Sequence, residues 1–240
     1  MNNNKCAIVI PARLKSTRLK RKLLIEVNGK SILHYTIENA LKSKLAGKVI
    51  VATEDIDIKR FVDGLRLDVL CIKTPQFNNG TERVKYVASE HLKDADKIVN
   101  LQADEPLFSG DNIDAIIKEI NQDNALVSAY SFIKEEDDYL DPNVVKVTLN
   151  VFDMALYFSR SPIPHGGFNF ACKHIGIYGY MKNVLADLPY TSNYQRSENL
   201  EQLSWIENGH TIKMIRINNK TIGIDTPKDI DDFKAILDQK

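Results

Sequence analysis

The strongest constraint on the fold is a regular alternation of apolar runs with amphipathic helical segments. Strand-like runs occupy residues 7–10, 48–53, 68–72, 97–102 and 126–133. Between them, apolar side chains recur at the three- and four-residue spacing of a helix. Strands that alternate with helices form parallel sheets through right-handed crossovers. This part of the chain therefore predicts an α/β fold, with a mainly parallel sheet and helices on both faces.

The pattern changes after about residue 144. Strand-like runs at 144–149, 155–161 and 174–180 follow one another, which predicts an antiparallel arm. A helix over 198–208, a strand over 211–217 and a last helix that starts at Asp225-Thr-Pro complete the chain. Without a repeat or linker, we expect one domain over 1–240, in which about 144–195 form an arm typical of a lid or of a dimerisation subdomain.

Composition excludes several classes of function. The 240 residues carry 32 basic and 32 acidic side chains, so long-range attraction to nucleic acid or to an anionic membrane is not expected. No apolar run approaches the roughly 18 residues that cross a bilayer, and the N-terminus lacks a signal-peptide core. The three widely spaced cysteines show no metal-ligand pattern. We therefore expect a cytoplasmic protein with reduced, mostly buried thiols.

The first strand opens into a cationic loop. Its basic residues are Arg13, Lys15, Arg18, Lys20, Arg21 and Lys22, and no acid interrupts them. Open α/β sheets bind ligands at the carboxyl ends of their strands. Because arginine offers planar paired donors and lysine a compact charge, the mixture suits a triphosphate. A solvated basic loop or a nucleic-acid patch is the alternative for such a run taken alone.

Two acidic positions favour a metal site. Asp104 follows the strand that ends near Gln102, and Asp225 precedes the last helix. Mg²⁺ prefers one or two carboxylates together with phosphate oxygens and water. The alternatives are a simple turn at Asp104 and a helix N-cap at Asp225, and the cap and ligand roles of Asp225 are compatible.

Two further segments carry polar side chains that suit binding. Residues 78–83 lead into a helix, where Gly80 permits close backbone approach, Thr81 is the expected N-cap and Arg83 is expected to reach a phosphate or a base edge. In the arm, strand alternation predicts exposed Arg160, His174 and Tyr178, which suit the carboxylate and hydroxyls of an acidic sugar. An ordinary helix cap and a core or dimer-interface strand are the respective alternatives.

Seven collinear motifs resemble those of the 3-deoxy-manno-octulosonate cytidylyltransferase family, the CMP-Kdo synthetases. They are Ile10-Pro-Ala-Arg with Ser-Thr-Arg-Leu and Lys22, Gly80-Thr-Glu-Arg, Asn100-Leu-Gln-Ala-Asp-Glu-Pro, Ala155-Leu-Tyr-Phe-Ser-Arg, His174-Ile-Gly-Ile-Tyr-Gly-Tyr, Leu200-Glu-Gln-Leu and Gly223-Ile-Asp-Thr-Pro. The resemblance covers nearly the whole chain. It implies a Rossmann-like nucleotidyltransferase fold, CTP as the donor, Mg²⁺ as cofactor, an acidic 3-deoxy sugar as acceptor and a homodimer.

The resemblance also implies roles for residues at matching positions. Those on the nucleotide side are Ala12, Arg13, Arg18, Lys22, Gly80, Thr81, Arg83 and Gln102, with Asp104 and Asp225 as magnesium ligands. Those near the sugar pocket are Arg160, His174, Tyr178, Glu201 and Gln202. Arg13, Lys22, Asp104 and Asp225 are the expected catalytic residues.

The chain departs from the family pattern at several points. It has Lys20-Arg21-Lys22-Leu-Leu where the family usually reads Pro-Gly-Lys-Pro-Leu, and Ala103 replaces the usual glycine. His165 replaces a tryptophan and Ser204 an arginine, both on the sugar side. Glu105 is typical of the enzymes that use Kdo rather than its 8-amino analogue.

The expected activity is transfer of CMP from CTP to the anomeric hydroxyl of Kdo, with release of pyrophosphate, for lipopolysaccharide or capsule synthesis. The same chemistry on an 8-amino-Kdo or another acidic sugar is the first alternative. A non-catalytic nucleotide-binding relative is the second. A nucleic-acid-binding module fits least, because basic and aromatic residues do not interleave.

Overall fold

The structure is a computed structural model that describes residues 5–15, 19–218 and 221–239. The chain divides into two compact units. Residues 1–117 and 219–240 form unit 1, and residues 118–218 form unit 2. The final segment therefore belongs with the first half of the sequence.

The strands within the described residues are short and mostly buried. In chain order they are β1 (Cys6–Pro11), β2 (Glu26–Val27), β3 (Lys30–Ser31), β4 (Lys48–Thr53), β5 (Leu70–Lys73), β6 (Lys97–Leu101), β7 (Leu126–Phe132), β8 (Lys146–Leu149), β9 (Ala155–Ser159), β10 (Cys172–Met181) and β11 (Lys213–Arg216).

The α-helices within the same residues alternate with these strands in the first half of the chain. They are α1 (Ile32–Leu41), α2 (Ile56–Gly64), α3 (Gly80–His91), α4 (Gly110–Glu119), α5 (Glu136–Leu140), α6 (Lys182–Asp187), α7 (Asn193–Glu198), α8 (Glu201–Glu207) and α9 (Pro227–Leu237).

Unit 1 contains a parallel sheet in the order β6-β1-β4-β5. Its central strand, β1, has fully buried side chains at Ile8, Val9 and Ile10, as a strand covered by helices requires. β2 and β3 form a small hairpin whose turn residues, Asn28 and Gly29, both have positive φ. Such a turn matches the twist of the two strands.

The last helix packs into unit 1. Phe233 of α9 is fully buried in a cluster with Ile32 of α1, Val27 of the hairpin, Leu107 and Ile224. The Tyr35 ring stands edge-on to Phe233, with 5.2 Å between the ring centroids. This apolar contact fixes the segment that precedes α9.

Unit 2 has a mixed sheet. β7 pairs in parallel with β11 and antiparallel with β10, and β8 pairs antiparallel with both β10 and β9. The pairing of β10 with β7 shifts between Ile175 and Tyr178, which marks a bulge. The antiparallel strands predicted after residue 144 are confirmed.

The predicted α/β fold class is confirmed, and most predicted strands agree with the structure to within two residues. The helix predicted over 198–208 is confirmed as α8 over Glu201–Glu207, but its predicted start is wrong and α7 was not predicted. Asn199 adopts a left-handed backbone, with φ of 54°, and separates α7 from α8. The domain prediction for 1–240, with 144–195 as an arm, stays a prediction. No helix of the described residues is long and apolar enough to cross a membrane.

Candidate active site

The loop after β1 supplies the first part of the candidate site. Ala12 is fully buried, and its N–H donates to the Ala52 carbonyl at the end of β4, 2.9 Å away. Arg13 is exposed, and the Leu14 N–H donates to Asp55 Oδ2 at 2.7 Å. Arg18, another predicted phosphate ligand, lies outside the described residues. The loop thus leaves the sheet at the carboxyl end of β1, as predicted, and the structure adds that it runs beside the end of β4.

Lys22 occupies the centre of the site. It begins a short 3-10 helix, Lys22–Leu24, after Arg21, which adopts a left-handed backbone where the family usually has glycine. The Lys22 ammonium donates to Asp104 Oδ2, and it lies 2.8 Å from Asp225 Oδ1. Burial alone would lower the pKa of Lys22, but the two carboxylates outweigh burial and raise it.

One ammonium therefore brings together two acids that lie far apart in the sequence. Two oxygens that share one hydrogen-bonding nitrogen lie within roughly 6 Å of each other. The backbone supports the same approach, because the Ile224 N–H donates to the Asp104 carbonyl at 3.0 Å. The structure thus places Lys22, Asp104 and Asp225 together, as the sequence predicted.

The start of α9 differs from one sequence prediction. Asp225 is not the N-cap; Thr226 caps the helix, and its hydroxyl accepts from the Asp229 N–H. Asp229 in turn accepts from the Thr226 N–H at 2.7 Å, which completes a capping box. Because the cap is supplied by Thr226, the Asp225 carboxylate is available to Lys22.

The paired carboxylates fit a magnesium ion by their chemistry. Within the described residues, no group of three or more His, Cys, Asp or Glu side chains is arranged to hold a metal. Two carboxylates completed by phosphate oxygens and water are nevertheless a normal Mg²⁺ environment. The Lys22 ammonium, a cation between two acids, shows that this position favours positive charge.

Arg83 has protein partners in this structure. Its side chain is 3% exposed, forms an ion pair with Glu54 and donates from Nη1 to the Ala12 carbonyl at 3.1 Å. Burial and the neighbouring Arg13 charge lower its pKa to about 10, so it stays protonated at neutral pH. The side chain therefore joins α3 to the loop after β1 in this structure, and its predicted contact with a phosphate or a base edge stays a prediction.

The N-terminus of α3 also differs in detail. The N-cap is Asn79, whose side chain accepts from the Glu82 N–H at 2.8 Å, and not Thr81, which is buried in the first turn. A Cβ on Gly80 would meet Pro11 Cγ at 3.4 Å, which places the helix start beside the end of β1. Gln102 follows β6 with an exposed side chain.

The predicted sugar-side residues all lie in unit 2. Arg160, directly after β9, donates from Nε to the Glu198 carbonyl at 2.9 Å and from Nη1 to the Pro142 carbonyl at 3.0 Å. Glu201 is partly exposed in the first turn of α8, whereas Gln202 is 3% exposed. These contacts establish where the side chains are held, and the sugar-binding roles stay predictions.

His174 and Tyr178 belong to an aromatic group rather than to an exposed face. The Tyr178 ring is 7% exposed and contacts Trp205, so its predicted exposure is wrong. The centroids of the His174 and Tyr178 rings lie 5.4 Å apart. Burial lowers the pKa of His174 to about 3, which keeps the imidazole neutral.

The tautomer of His174 follows from its neighbour. Ser128 Oγ lies 2.9 Å from His174 Nε2 and 2.8 Å from the Ile177 carbonyl. A hydroxyl has one proton, and a carbonyl can only accept, so the serine donates to Ile177. His174 Nε2 must therefore carry the proton in its bond to Ser128.

Sequence reasoning missed several residues that hold the site. Glu54 and Asp55 follow β4 as Asp104 follows β6, so an acid directly after a buried strand was the available signal. Glu198 accepts from the Arg160 N–H, and Lys146 donates to the Arg160 carbonyl. Neither of these two contacts leaves a signal in local sequence.

Comparison with known proteins identifies the family. The cytidylyltransferase family model matches residues 7–217. A 3-deoxy-manno-octulosonate cytidylyltransferase from Chloroherpeton thalassium is 39% identical, with 98% of this chain and 99% of that protein aligned. The chain belongs to the 3-deoxy-manno-octulosonate cytidylyltransferase family. The enzyme of the same name from Thermodesulfovibrio yellowstonii is 37% identical over 93% of this chain and 94% of its own.

A solved structure agrees with this assignment. The structure of CMP:2-keto-3-deoxy-manno-octonic acid synthetase complexed with CTP has a TM-score of 0.88 and 32% identity, and covers 98% of this chain and 99% of its own. The inositol-1-phosphate CTP transferase from T. maritima, at 14% identity and a TM-score of 0.70, covers 99% of this chain and 96% of its own and shares the fold.

Proposed function

We propose that the protein transfers CMP from CTP to the anomeric hydroxyl of 3-deoxy-manno-octulosonate and releases pyrophosphate. The observation that carries the proposal is the meeting of Lys22 with Asp104 and Asp225 at the carboxyl end of a parallel sheet. Family membership supports the same chemistry, because full-length relatives carry this activity in their names.

On the nucleotide side, Arg13, Arg18 and Lys22 bind the β- and γ-phosphates of CTP in this proposal. Cationic side chains stabilise the charge that builds on the departing pyrophosphate, and positioning supplies most of the remaining catalysis. Asp104 and Asp225 would hold Mg²⁺, which would act there as a Lewis acid and make the sugar hydroxyl more acidic. Ala12, Gly80, Thr81, Arg83 and Gln102 form the surroundings of the nucleotide.

On the sugar side, Arg160 binds the carboxylate of the acceptor, and His174, Tyr178, Glu201 and Gln202 surround its hydroxyls. Arg160 suits this role because its two bonded N–H groups meet neutral carbonyl oxygens. We further propose that the protein works in the cytoplasm as a homodimer and that its product enters lipopolysaccharide or capsule synthesis.

Pyrophosphate release tests the proposal directly. Purified protein is supplied with each nucleoside triphosphate in turn, with Mg²⁺ or with a chelator, and with Kdo or its 8-amino analogue. We expect release with CTP, Kdo and Mg²⁺ together, and little release when any one is replaced. Faster release with the 8-amino analogue would identify that sugar as the acceptor in place of Kdo. If no sugar acid gives pyrophosphate release, a non-catalytic nucleotide binder is favoured.

A further inference from the structure

Arg160 is held by a set of contacts that the nucleotide-transfer chemistry does not use. All of them lie within unit 2. The Glu198 side chain accepts from the Arg160 backbone N–H at 2.8 Å through Oε2 and from the Ser159 hydroxyl at 2.7 Å through Oε1. The main-chain carbonyl of Glu198 accepts from the Arg160 guanidinium at 2.9 Å. One residue at the end of α7 thus holds both the backbone and the side chain of Arg160.

Lys146 holds the same residue at its carbonyl group. This lysine is fully buried on β8, and its ammonium donates to the carbonyls of Asp141, Val144 and Arg160, at 2.9, 2.6 and 2.6 Å. Three carbonyls use all three of its protons. Burial lowers the pKa of Lys146, as expected for an ammonium among neutral partners. The Arg160 backbone is therefore fixed at its N–H and at its carbonyl.

Among the described residues, the Arg160 guanidinium bonds to no carboxylate, so its charge is available to a ligand. Its two side-chain bonds go to neutral carbonyls, and the Glu198 carboxylate bonds instead to backbone and hydroxyl groups. Nη2 has no hydrogen-bond partner among the residues that the structure describes. A partly buried cation with fixed geometry and free donors is suited to a carboxylate.

We propose that Glu198 and Lys146 are positioning residues that hold the Arg160 guanidinium in place to bind the carboxylate of the sugar acceptor. This inference rests on the proposed function. It adds two residues that act through Arg160 and make no contact with substrate. The physical reason is preorganisation, because a side chain that is already fixed loses less conformational freedom when the acceptor binds.

Steady-state kinetics of Glu198→Ala provide the main test. We expect the KM for Kdo to rise at least about tenfold, which corresponds to loss of one charge-assisted contact. The KM for CTP should stay within about twofold, and Glu198→Gln should recover part of the loss because its amide oxygen still accepts one bond. An equal rise in both KM values would overturn the inference.

A matched control separates positioning from general support of α7. Glu207 accepts from the Asn193 and Tyr194 N–H groups at the start of the same helix, and it does not contact Arg160. Glu207→Gln therefore disturbs α7 without touching the arginine. We expect its KM for Kdo to stay near that of the wild type. A rise equal to that of Glu198→Ala would assign the effect to the helix and contradict the proposal.

A double-mutant cycle tests whether Glu198 acts through Arg160. If it does, adding Glu198→Ala to Arg160→Ala should change kcat/KM for Kdo little further, whereas independent effects would multiply. Lys146→Met is expected to follow the same pattern, with circular dichroism checking that each variant is folded. If Lys146→Met does not fold, Lys146→Arg replaces it.

The outcomes distinguish this inference from the function on which it rests. If the wild type releases no pyrophosphate from CTP with Kdo, the proposed function fails and the inference fails with it. If the wild type is active but the effects of Glu198→Ala and Arg160→Ala multiply, only the positioning role is wrong.

Discussion

Asp104 and Asp225 carry the sharpest prediction at the scale of single residues. Asp104→Asn and Asp225→Asn should each lower the rate of pyrophosphate release by about a hundredfold or more, because each removes a charge that pairs with Lys22 and that we propose holds the magnesium ion. The fold should remain, since both side chains are partly exposed.

The exposed pair of Lys59 and Asp63, 2.9 Å apart, supplies the control. Asp63→Asn removes the same charge from a lysine–aspartate pair outside the site and should leave activity near that of the wild type. If Asp104→Asn or Asp225→Asn also retains near-wild-type turnover, the assignment of that aspartate is wrong.

The buried pair of Arg83 and Glu54 predicts a large effect on stability. Glu54→Gln leaves the Arg83 cation buried without its carboxylate, and we expect a loss of about 3 kcal/mol in the free energy of unfolding. Asp57→Asn breaks the exposed pair with Arg21 and should cost no more than about 1 kcal/mol. Urea denaturation compares the two variants, and similar losses would contradict the structural role of Arg83.

His174 makes stability depend on pH. The unfolded chain binds a proton at this histidine near pH 6.5, whereas the folded protein does so only at about pH 3. The contribution of the neutral imidazole is therefore complete above the unfolded pKa and is lost as pH falls between the two values. The free energy of unfolding of the wild type therefore falls as pH is lowered. We expect His174→Gln to make this fall less steep, by up to about 1.4 kcal/mol per pH unit.

Urea denaturation from about pH 7 to about pH 5 measures this difference. His91→Gln, at an exposed histidine on α3, is the matched control and should decline in parallel with the wild type. If the stability of His174→Gln also falls in parallel with that of the wild type, His174 takes up its proton equally in the folded and unfolded states.

At the scale of elements, the capping box of α9 predicts a measurable effect. Thr226→Ala should lower the free energy of unfolding by about 1 kcal/mol, because the Asp229 N–H loses its acceptor. Thr226→Ser keeps the hydroxyl and should restore most of the loss. Thermal unfolding of the two variants provides the comparison, and equal midpoints would contradict the cap.

Element positions were predictable where burial produced a local pattern. β1, β4 and β6 are apolar runs, and the sequence located each to within a residue or two. The β2–β3 hairpin was missed because strands of two residues have no periodicity, although Asn28-Gly29 is a hairpin signal. The break between α7 and α8 depends on the left-handed backbone of Asn199; asparagine tolerates that backbone, but it also lies inside helices of this chain, as at Asn39 and Asn112, so its presence alone does not locate a break.

The candidate site shows the same division between local and distant information. The acids and Lys22 were found because motifs mark them and because parallel strands end at one edge of a sheet. The partner of Arg83 and the burial of Tyr178 were not found. Each depends on which distant side chain packs beside it: Glu54 follows another strand, and Trp205 lies on α8.

At the scale of the whole molecule, the three cysteines can be used to test burial in both units. Cys6 and Cys71 lie in unit 1, and Cys172 lies in unit 2; all three are free and buried. Burial raises the pKa of Cys6 to about 12 and that of Cys71 to about 11, so little thiolate forms at neutral pH.

We therefore expect a thiol-specific reagent to label the native protein slowly and the urea-unfolded protein rapidly at all three positions. Mass spectrometry of the labelled peptides measures each site separately. Substituting one cysteine at a time by alanine identifies the signal of each. Rapid labelling of Cys6 in the native protein would contradict its burial in β1.

The carboxylate pair has a consequence for how the protein is made. Asp104 is translated before the midpoint of the chain, but its partner Asp225 lies on the segment that returns to unit 1 just before α9. A ribosome must therefore release the chain as far as Asp225 before the second acid can reach Lys22. Shorter nascent chains contain the cationic loop and one acid only, so the cluster of Lys22 with both acids forms only after residue 225 has left the ribosome.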